Sequence, residues 1–584
     1  MSLNDPNHVA SRAGLVDRLP RWLVPNMTGV HLAAVFIALL LLGLLLVPVA
    51  QVMIVAFQDP ATGAATLQNF VDFFKTSLFR ESFWNSFYVS AMSVVVATAI
   101  ALPLAYITTR FHFSGSILIQ SLGFIPLIMP PFVGAVAMQL IFGRNGTVNL
   151  LLRDWFGFDI PFMEGLNGVI LVQSIHYFPF ILINLSASLR NIDRSMEEAA
   201  QNLGSHGLRL FKRIVFPLAM PGYIAGAALV FIKVFDDLGT PLLLNVNNML
   251  APQAFLRISS IGISDPMGYV ISVILVVFSV LSLWASFLFM RGKDYATVQK
   301  GGGGMAKRSL KRGEKIIAYG AVIFILMLVL SPHFGLLLLS FGTIWSYAPL
   351  PDGYTLQNYV TMWEGSKTFI MNTVLYAGIA ATLDVIIGTA IAYIVLRTGI
   401  FGRKGLDYLA TAALAVPGVV LGIGYLRTFH AIDVPFTDEP MASWWVIIAL
   451  ALMIRRLPYA LRACMAALQQ VSLALEEAAE SLGATKRRSI QKIVIPLMTG
   501  GILAGFVTSF ATAAVELSAT IMLVNSNSDA PLSYGIYLFM QTPSGRGAGA
   551  ALGIVAVIVV AIGTIASQFI IERDKKLKSS GDAH

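Results

Sequence analysis

Seven ionisable residues sit inside stretches of sequence that are otherwise apolar: His176, Lys233, Asp236, Asp237, Arg455, Arg456 and Glu516. A charge in such a setting is costly, and one that is retained normally faces a partner or an aqueous path. The chemistry open to this set is recognition and passage of an ion. Asp236, Asp237 and Glu516 would guide a cation, and Arg455 and Arg456 would attract an anion. Each charge also has a structural alternative, an internal ion pair: Lys233 and Asp237, four residues apart, share one helix face. Bond-making groups are missing. The sequence contains no Gly-Lys-Ser or Gly-Lys-Thr of a phosphate loop, no His-Glu-x-x-His and no Gly-x-Ser-x-Gly. Catalysis by this chain is therefore not expected, nor is a cofactor bound to it, and no metal site is legible. The single cysteine, Cys464, excludes an internal disulfide and any cysteine zinc cluster, and reads as a small apolar filler.

The elements that carry these residues follow from composition. Of 584 residues, 56% are hydrophobic and 12% charged, about half the charge of an ordinary soluble domain. Such a chain cannot cover a water-facing surface, so its exterior faces membrane lipid: an all-α polytopic membrane protein. Runs of about 20 apolar residues predict twelve spans, near 30–57, 84–109, 117–142, 166–189, 218–236 and 268–290, then 316–342, 370–396, 405–429, 442–468, 497–516 and 548–571. Prolines 103, 130, 131, 179, 417 and 458 fall within them, tolerable where neighbouring helices satisfy the freed backbone groups. The net charge of +9 does not indicate nucleic acid, because 29 of the 40 Lys and Arg fall in alternate connections and at both ends. The positive-inside rule then places both termini in the cytoplasm. The first apolar run is too long for a cleaved signal segment. Residues 1–29 form an N-terminal segment and 573–584 a tail. Residues 292–315, with four consecutive glycines from Gly301 and the basic residues Lys307, Arg308, Lys311 and Arg312, form a flexible cytoplasmic linker between two halves, 30–291 and 316–572.

The halves are copies. Thr66-Leu67-Gln68-Asn69 recurs as Thr355-Leu356-Gln357-Asn358, Asn85-Ser86 as Asn372-Thr373, Ala105-Tyr106 with Arg110 as Ala392-Tyr393 with Arg397, and Pro130 as Pro417. At an offset of 279 the match is densest: 197–226 and 476–505 share 14 of 30 positions without a gap. At the same offset His176 matches Arg455, Tyr177 matches Arg456, and Asp237 matches Glu516. Six spans separate equivalent points, so the repeats run parallel. The strictest segment lies outside the spans, in a charged connection of each half, 190–217 and 469–496. Glu197, Glu198, Ala199 and Ala200 form helix readily, and Gly204 stops it. Glu476, Glu477, Ala478, Ala479 and Gly483 repeat this, and Pro217 and Pro496 open the next span. Solvation alone does not require glycine and proline at fixed spacing, so the two protrusions present a symmetric docking surface for a soluble partner.

Glu198-Ala199-Ala200 with Gly204, Ile214 and Pro217, and again Glu477-Ala478-Ala479 with Gly483, Ile493 and Pro496, resemble the EAA signature of binding-protein-dependent ABC importer permeases. The resemblance covers nearly the whole chain and is similar, in particular, to fused permeases for iron(III), thiamine and 2-aminoethylphosphonate. It implies the type I importer permease fold in a bacterial inner membrane, with two copies of an ATPase that bind ATP and Mg and receive the two loops. It also implies a periplasmic substrate-binding protein on the other side. Loop residues Lys486-Arg487-Arg488 stand against Gly207-Leu208-Arg209, so the two ATPase contacts are not expected to be equivalent. Ferric iron is the expected cargo, with 2-aminoethylphosphonate, thiamine or a polyamine as alternatives. A stand-alone secondary transporter would also have twelve spans, but leaves the duplicated loop without a purpose.

Overall fold

The computed structural model describes residues 29–290 and 308–581. Most of the N-terminal segment, the glycine run of the linker and the last three residues lie outside them. The main helices fall into two sets of eight. The first set is α1 (Gly29–Ala56), α2 (Ser77–Arg110), α3 (Ser116–Phe124), α4 (Pro131–Phe142), α5 (Leu166–Arg190), α6 (Arg194–Asn202), α7 (Phe216–Phe235) and α8 (Pro266–Met290). The second is α9 (Arg312–Phe341), α10 (Gln357–Arg397), α11 (Arg403–Ala412), α12 (Gly418–Phe429), α13 (Trp445–Gln469), α14 (Leu473–Ser481), α15 (Ile495–Ala514) and α16 (Arg546–Gly581). Each helix of the first set has its counterpart eight places later, as parallel repeats require.

Helical segments occupy all twelve expected positions, with one correction. The third of each half is not a straight crossing. Among the described residues nine helices are long and apolar enough to span a bilayer, and two pairs, broken by 102° and 107°, raise this to eleven. The breaks fall at Pro130 and Pro417. Proline lacks the amide that would continue the helix and disfavours helical geometry in the residue before it, which permits the turn found there. The remaining position is α13, which the three charges Arg455, Arg456 and Arg462 set apart from the other spans.

The repeated polar signatures outside the loops prove to be structural. Asn69 Nδ2 donates to the carbonyls of Ala56 (3.0 Å) and Gln58 (2.8 Å), and Asn358 Nδ2 to those of Ser340 (3.1 Å) and Gly342 (2.8 Å). Each satisfies carbonyls left over where the first helix of its half ends. Ser86 and Thr373 accept from the amides of Leu250 and Leu532, at 2.8 and 2.6 Å, tying the second span to the return segment across the bundle.

The first helix of each half packs on the other half. A Cβ on Gly424 of α12 would lie 2.7 Å from the Pro48 carbonyl of α1. Likewise Gly134 of α4 touches Pro332 of α9, and Gly335 of α9 faces Ile141 and Ala137 of α4. Small residues permit this close approach, which is how helices associate where lipid removes the hydrophobic drive. The linker therefore delivers α9 back onto the first half. Its described end does so explicitly: Arg308–Ser309 pairs in parallel with Phe111–His112, and Tyr319 stacks on Phe113 at 4.0 Å.

Candidate functional site

The two loops are built alike. In the first, α6 ends at Asn202, Leu203 follows, and Gly204 takes φ +85°. The Gly204 amide donates to Gln201 O and the Ser205 amide to Ala200 O, both at 2.9 Å. In the second, Gly483 takes φ +86°, and the amides of Gly483 and Ala484 donate to Glu480 O and Ala479 O, again at 2.9 Å. Both are Schellman caps, which need a left-handed residue and so favour glycine. Leu203 and Leu482, next to these glycines, are 88% and 90% exposed, apolar knobs at the tip of each loop. Beyond the turn the backbone passes through five-residue π turns, Phe211–Val215 and Ile490–Val494. These absorb the amide that Pro217 and Pro496 cannot supply.

The four glutamates divide into two roles. Glu197 and Glu476 point inward. Arg110, the last residue of α2, pairs with Glu197, and Arg397, the last residue of α10, holds Glu476 Oε1 at 2.7 Å. Arg397 also donates to Leu468 O (3.2 Å) and Val471 O (2.5 Å), and Tyr393 Oη donates to Glu476 Oε2 at 3.1 Å. The repeated Arg110/Arg397 and Glu197/Glu476, separate observations in sequence, are thus one anchor that fixes each loop to the second span of its half. Glu198 and Glu477 are exposed, as are Ala199 and Ala478, whereas Ala200 turns inward. The loops differ at their start, where Asp193 accepts from the Ser195 amide at 2.9 Å while Ser472 makes no such cap.

The charged residues within the membrane only partly converge. Asp236, at the end of α7, accepts from the Gly418 amide at 3.0 Å, and its Oδ2 lies 3.6 Å from Arg455 NH2. Arg455 Nε lies 3.6 Å from Glu516 Oε1, and Arg455 donates to Val416 O at 3.4 Å. Glu516 accepts from the amides of Ala519 (3.1 Å) and Thr520 (3.3 Å). Asp237 accepts from the Thr240 amide (3.1 Å) and the Gln173 side chain (2.6 Å). The matched acids Asp237 and Glu516 therefore act alike, since each supplies acceptors to the free amides of the short helix after its span. The structural alternative of an ion pair between Lys233 and Asp236 or Asp237 does not close within 4 Å among the described residues, and Arg455 reaches Asp236. Lys233, Arg456 and Tyr459 line one cavity of about 20 Å³ with Asp236 and Arg455. His176 stands apart from this group, lining a separate cavity of about 10 Å³ beside His333 of α9.

Asp384 was missed in sequence. It is fully buried in α10, accepts from Ser509 and lies within electrostatic reach of Arg456. Its position as the one charged residue of the apolar run 368–396 is a visible signal. His333, the one histidine in the otherwise uncharged run 316–342, carries the same signal, and the Gly418 amide carries none. Among the described residues no three His, Cys, Asp or Glu are placed to hold a metal.

Fold and loops together define a class: a polytopic permease made of two fused parallel repeats. Residues 97–294 and again 384–576 match the family described as binding-protein-dependent transport system inner membrane component, and the chain belongs to that family. Among its relatives is the ferric transport system permease protein FbpB of Actinobacillus pleuropneumoniae, 30% identical over 463 residues, which are 77% of this chain and 65% of that protein. FbpB 1 of Haemophilus influenzae, a putative ferric transport system permease protein, is 28% identical over 502 residues, 84% of this chain and 77% of its own length. The molybdenum transport system permease protein ModB of Escherichia coli K12 is 31% identical over 154 residues, 26% of this chain and 66% of its own. This chain thus spans just under two thirds of the Actinobacillus protein.

Proposed function

We propose that this chain is the translocation subunit of an ATP-driven importer for ferric iron. The two EAA loops seat in two ATPase subunits that carry the ATP and Mg, and a binding protein delivers cargo to the opposite face. Both termini then lie in the cytoplasm of a cell whose inner membrane holds the protein. The observation that carries this reading is the doubled loop: the same glycine cap, the same exposed leucine and the same Arg–Glu anchor occur twice, at a place where folding alone would not require identity. The names of the relatives that align over most of the chain support iron. The cluster of Lys233, Arg455 and Arg456 around one cavity favours an anionic cargo, for which 2-aminoethylphosphonate is the alternative.

The test is mild-detergent purification of the tagged chain from its native membranes, with mass spectrometry of associated proteins. A P-loop ATPase at about two copies, and a binding protein carrying iron, are expected. Absence of any ATPase, with uptake that persists when ATP is depleted and a proton gradient is kept, would overturn the reading in favour of a secondary transporter.

A further inference from the structure

The contact between the halves at the charged cluster is one-sided. Asp236 of the first half holds both a cation and a backbone donor of the second: Arg455, and the Gly418 amide at the elbow after Pro417. The pseudo-symmetric contact cannot exist. At offset 279 the counterpart of Asp236 is Val515, and that of Arg455 is His176. At offset 287 the counterpart of Gly418 is Pro131, which has no amide hydrogen to give. Asp237, the counterpart of Glu516, is occupied by Gln173 and Thr240 within its own half. Among the described residues this cluster thus gives the two halves one ionic junction where symmetry would allow two.

The surroundings of the junction are tightly packed. The cavity at the junction is about 20 Å³, room for a single water and no cargo. Beside it Gly239 of the first half packs against Phe132 and Leu517, so that a Cβ there would lie 2.9 Å from Phe132 Cβ and 3.0 Å from a Leu517 methyl. Ser279 of α8 lines the cavity, is buried, and its hydroxyl has no hydrogen-bond partner. The junction is also suited to parting. When Asp236 withdraws, Arg455 retains Glu516, so no buried charge is left unpaired on the second half. The cost of separation is then smaller than for an isolated buried pair.

We propose that Asp236, Arg455 and the Gly418 amide form a single ionic gate between the halves, closed in the state seen here and parted once in each transport cycle. The proposal rests on the reading of the chain as a transport path. The first half supplies the mobile carboxylate, and the second half keeps its arginine in place through Glu516. The elbow of α12 moves with the gate because its first amide is one of the contacts.

The native single cysteine makes a clean test possible. In a Cys464→Ser background, Ser279→Cys is placed beside the junction, and its reaction with a charged methanethiosulfonate reagent is followed in membranes. Slow labelling is expected with Asp236 intact or as Asp236→Glu. Asp236→Asn is expected to raise the rate about tenfold or more by shifting the population toward open states. Gly418→Ala, which alters no charge but places a Cβ 2.5 Å from an Arg455 nitrogen, is expected to do the same. Fast labelling of the parent, or parental rates in both variants, would overturn the gate. Faster labelling in the variants, together with ferric uptake that does not depend on this chain, would uphold the gate and overturn the iron cargo.

Discussion

Gly204 and Gly483 show how a single residue type can be demanded by backbone alone. A Cβ at either would meet nothing within 4 Å, so space is not the constraint, but φ values of +85° and +86° are. A β-branched residue there would cost about 1–2 kcal/mol and would unwind the cap that aims Leu203 or Leu482 outward. Gly204→Val and Gly483→Val are expected to reach the membrane in normal amount and to lose uptake, as immunoblotting and transport assays would show. Normal transport in both would remove the coupling role of the loops. The adjacent glutamates separate support from contact. Glu476→Gln breaks a buried pair with Arg397 and is expected to lower stability by roughly 3 kcal/mol. Glu477→Gln, exposed, should stay within about 0.5 kcal/mol. Thermal unfolding of the purified protein distinguishes these, and equal losses would contradict the inward and outward assignment. The Glu-Ala-Ala pattern made both glutamates legible, but not which of them faces the protein, because that depends on where α2 and α10 end.

Helices meet here through small residues. A Cβ on Gly226 of α7 would lie 2.7 Å from the Ile181 backbone of α5, and one on Gly505 of α15 would lie 3.2 Å from Ala460 of α13. Gly226→Leu should force α5 and α7 apart and destabilise by about 1–3 kcal/mol. Gly29, with nothing within 4 Å, should accept the same change with little effect. A melting temperature unchanged by Gly226→Leu would refute the close approach. The positions of the spans were readable because about 20 apolar residues are needed to cross lipid. The elbows at Pro130 and Pro417 were not, since proline inside an apolar run is compatible with a kinked crossing as well as a reversal. Neighbouring elements decide between the two. At the second elbow the Gly418 amide, freed by the turn, finds Asp236 from the other half.

At the scale of the molecule, α1 leans on the second half and α9 on the first. Residues 1–300 and 301–584 expressed apart should each be degraded, and expressed together should co-purify. Stable accumulation of either alone would show that the crossed contacts are dispensable. The crossing also explains why the linker end is ordered against Phe111–His112, beside the Arg110 that anchors the first loop: α9 must start there to reach α4. Among the described residues the second loop has no such neighbour from a linker, so the two docking surfaces differ in their surroundings although their backbones agree.

Composition and periodicity alone determined that the chain is a polytopic membrane protein with helices at the twelve expected positions, that it is a doubled parallel repeat, and that its loops are its strictest part. These properties are local or additive: apolar length, charge count and residue spacing along one chain. Which glutamate anchors and which is exposed, that Asp237 and Glu516 serve backbone amides, that His176 lies apart from Arg455, and that Asp236 meets Arg455 and the Gly418 amide of the other half were decided by tertiary structure. Each of these depends on residues far apart in sequence arriving within hydrogen-bonding distance. In a low-dielectric interior, an unpaired polar group is costly, so the partner that the fold holds within reach determines what a buried charge does.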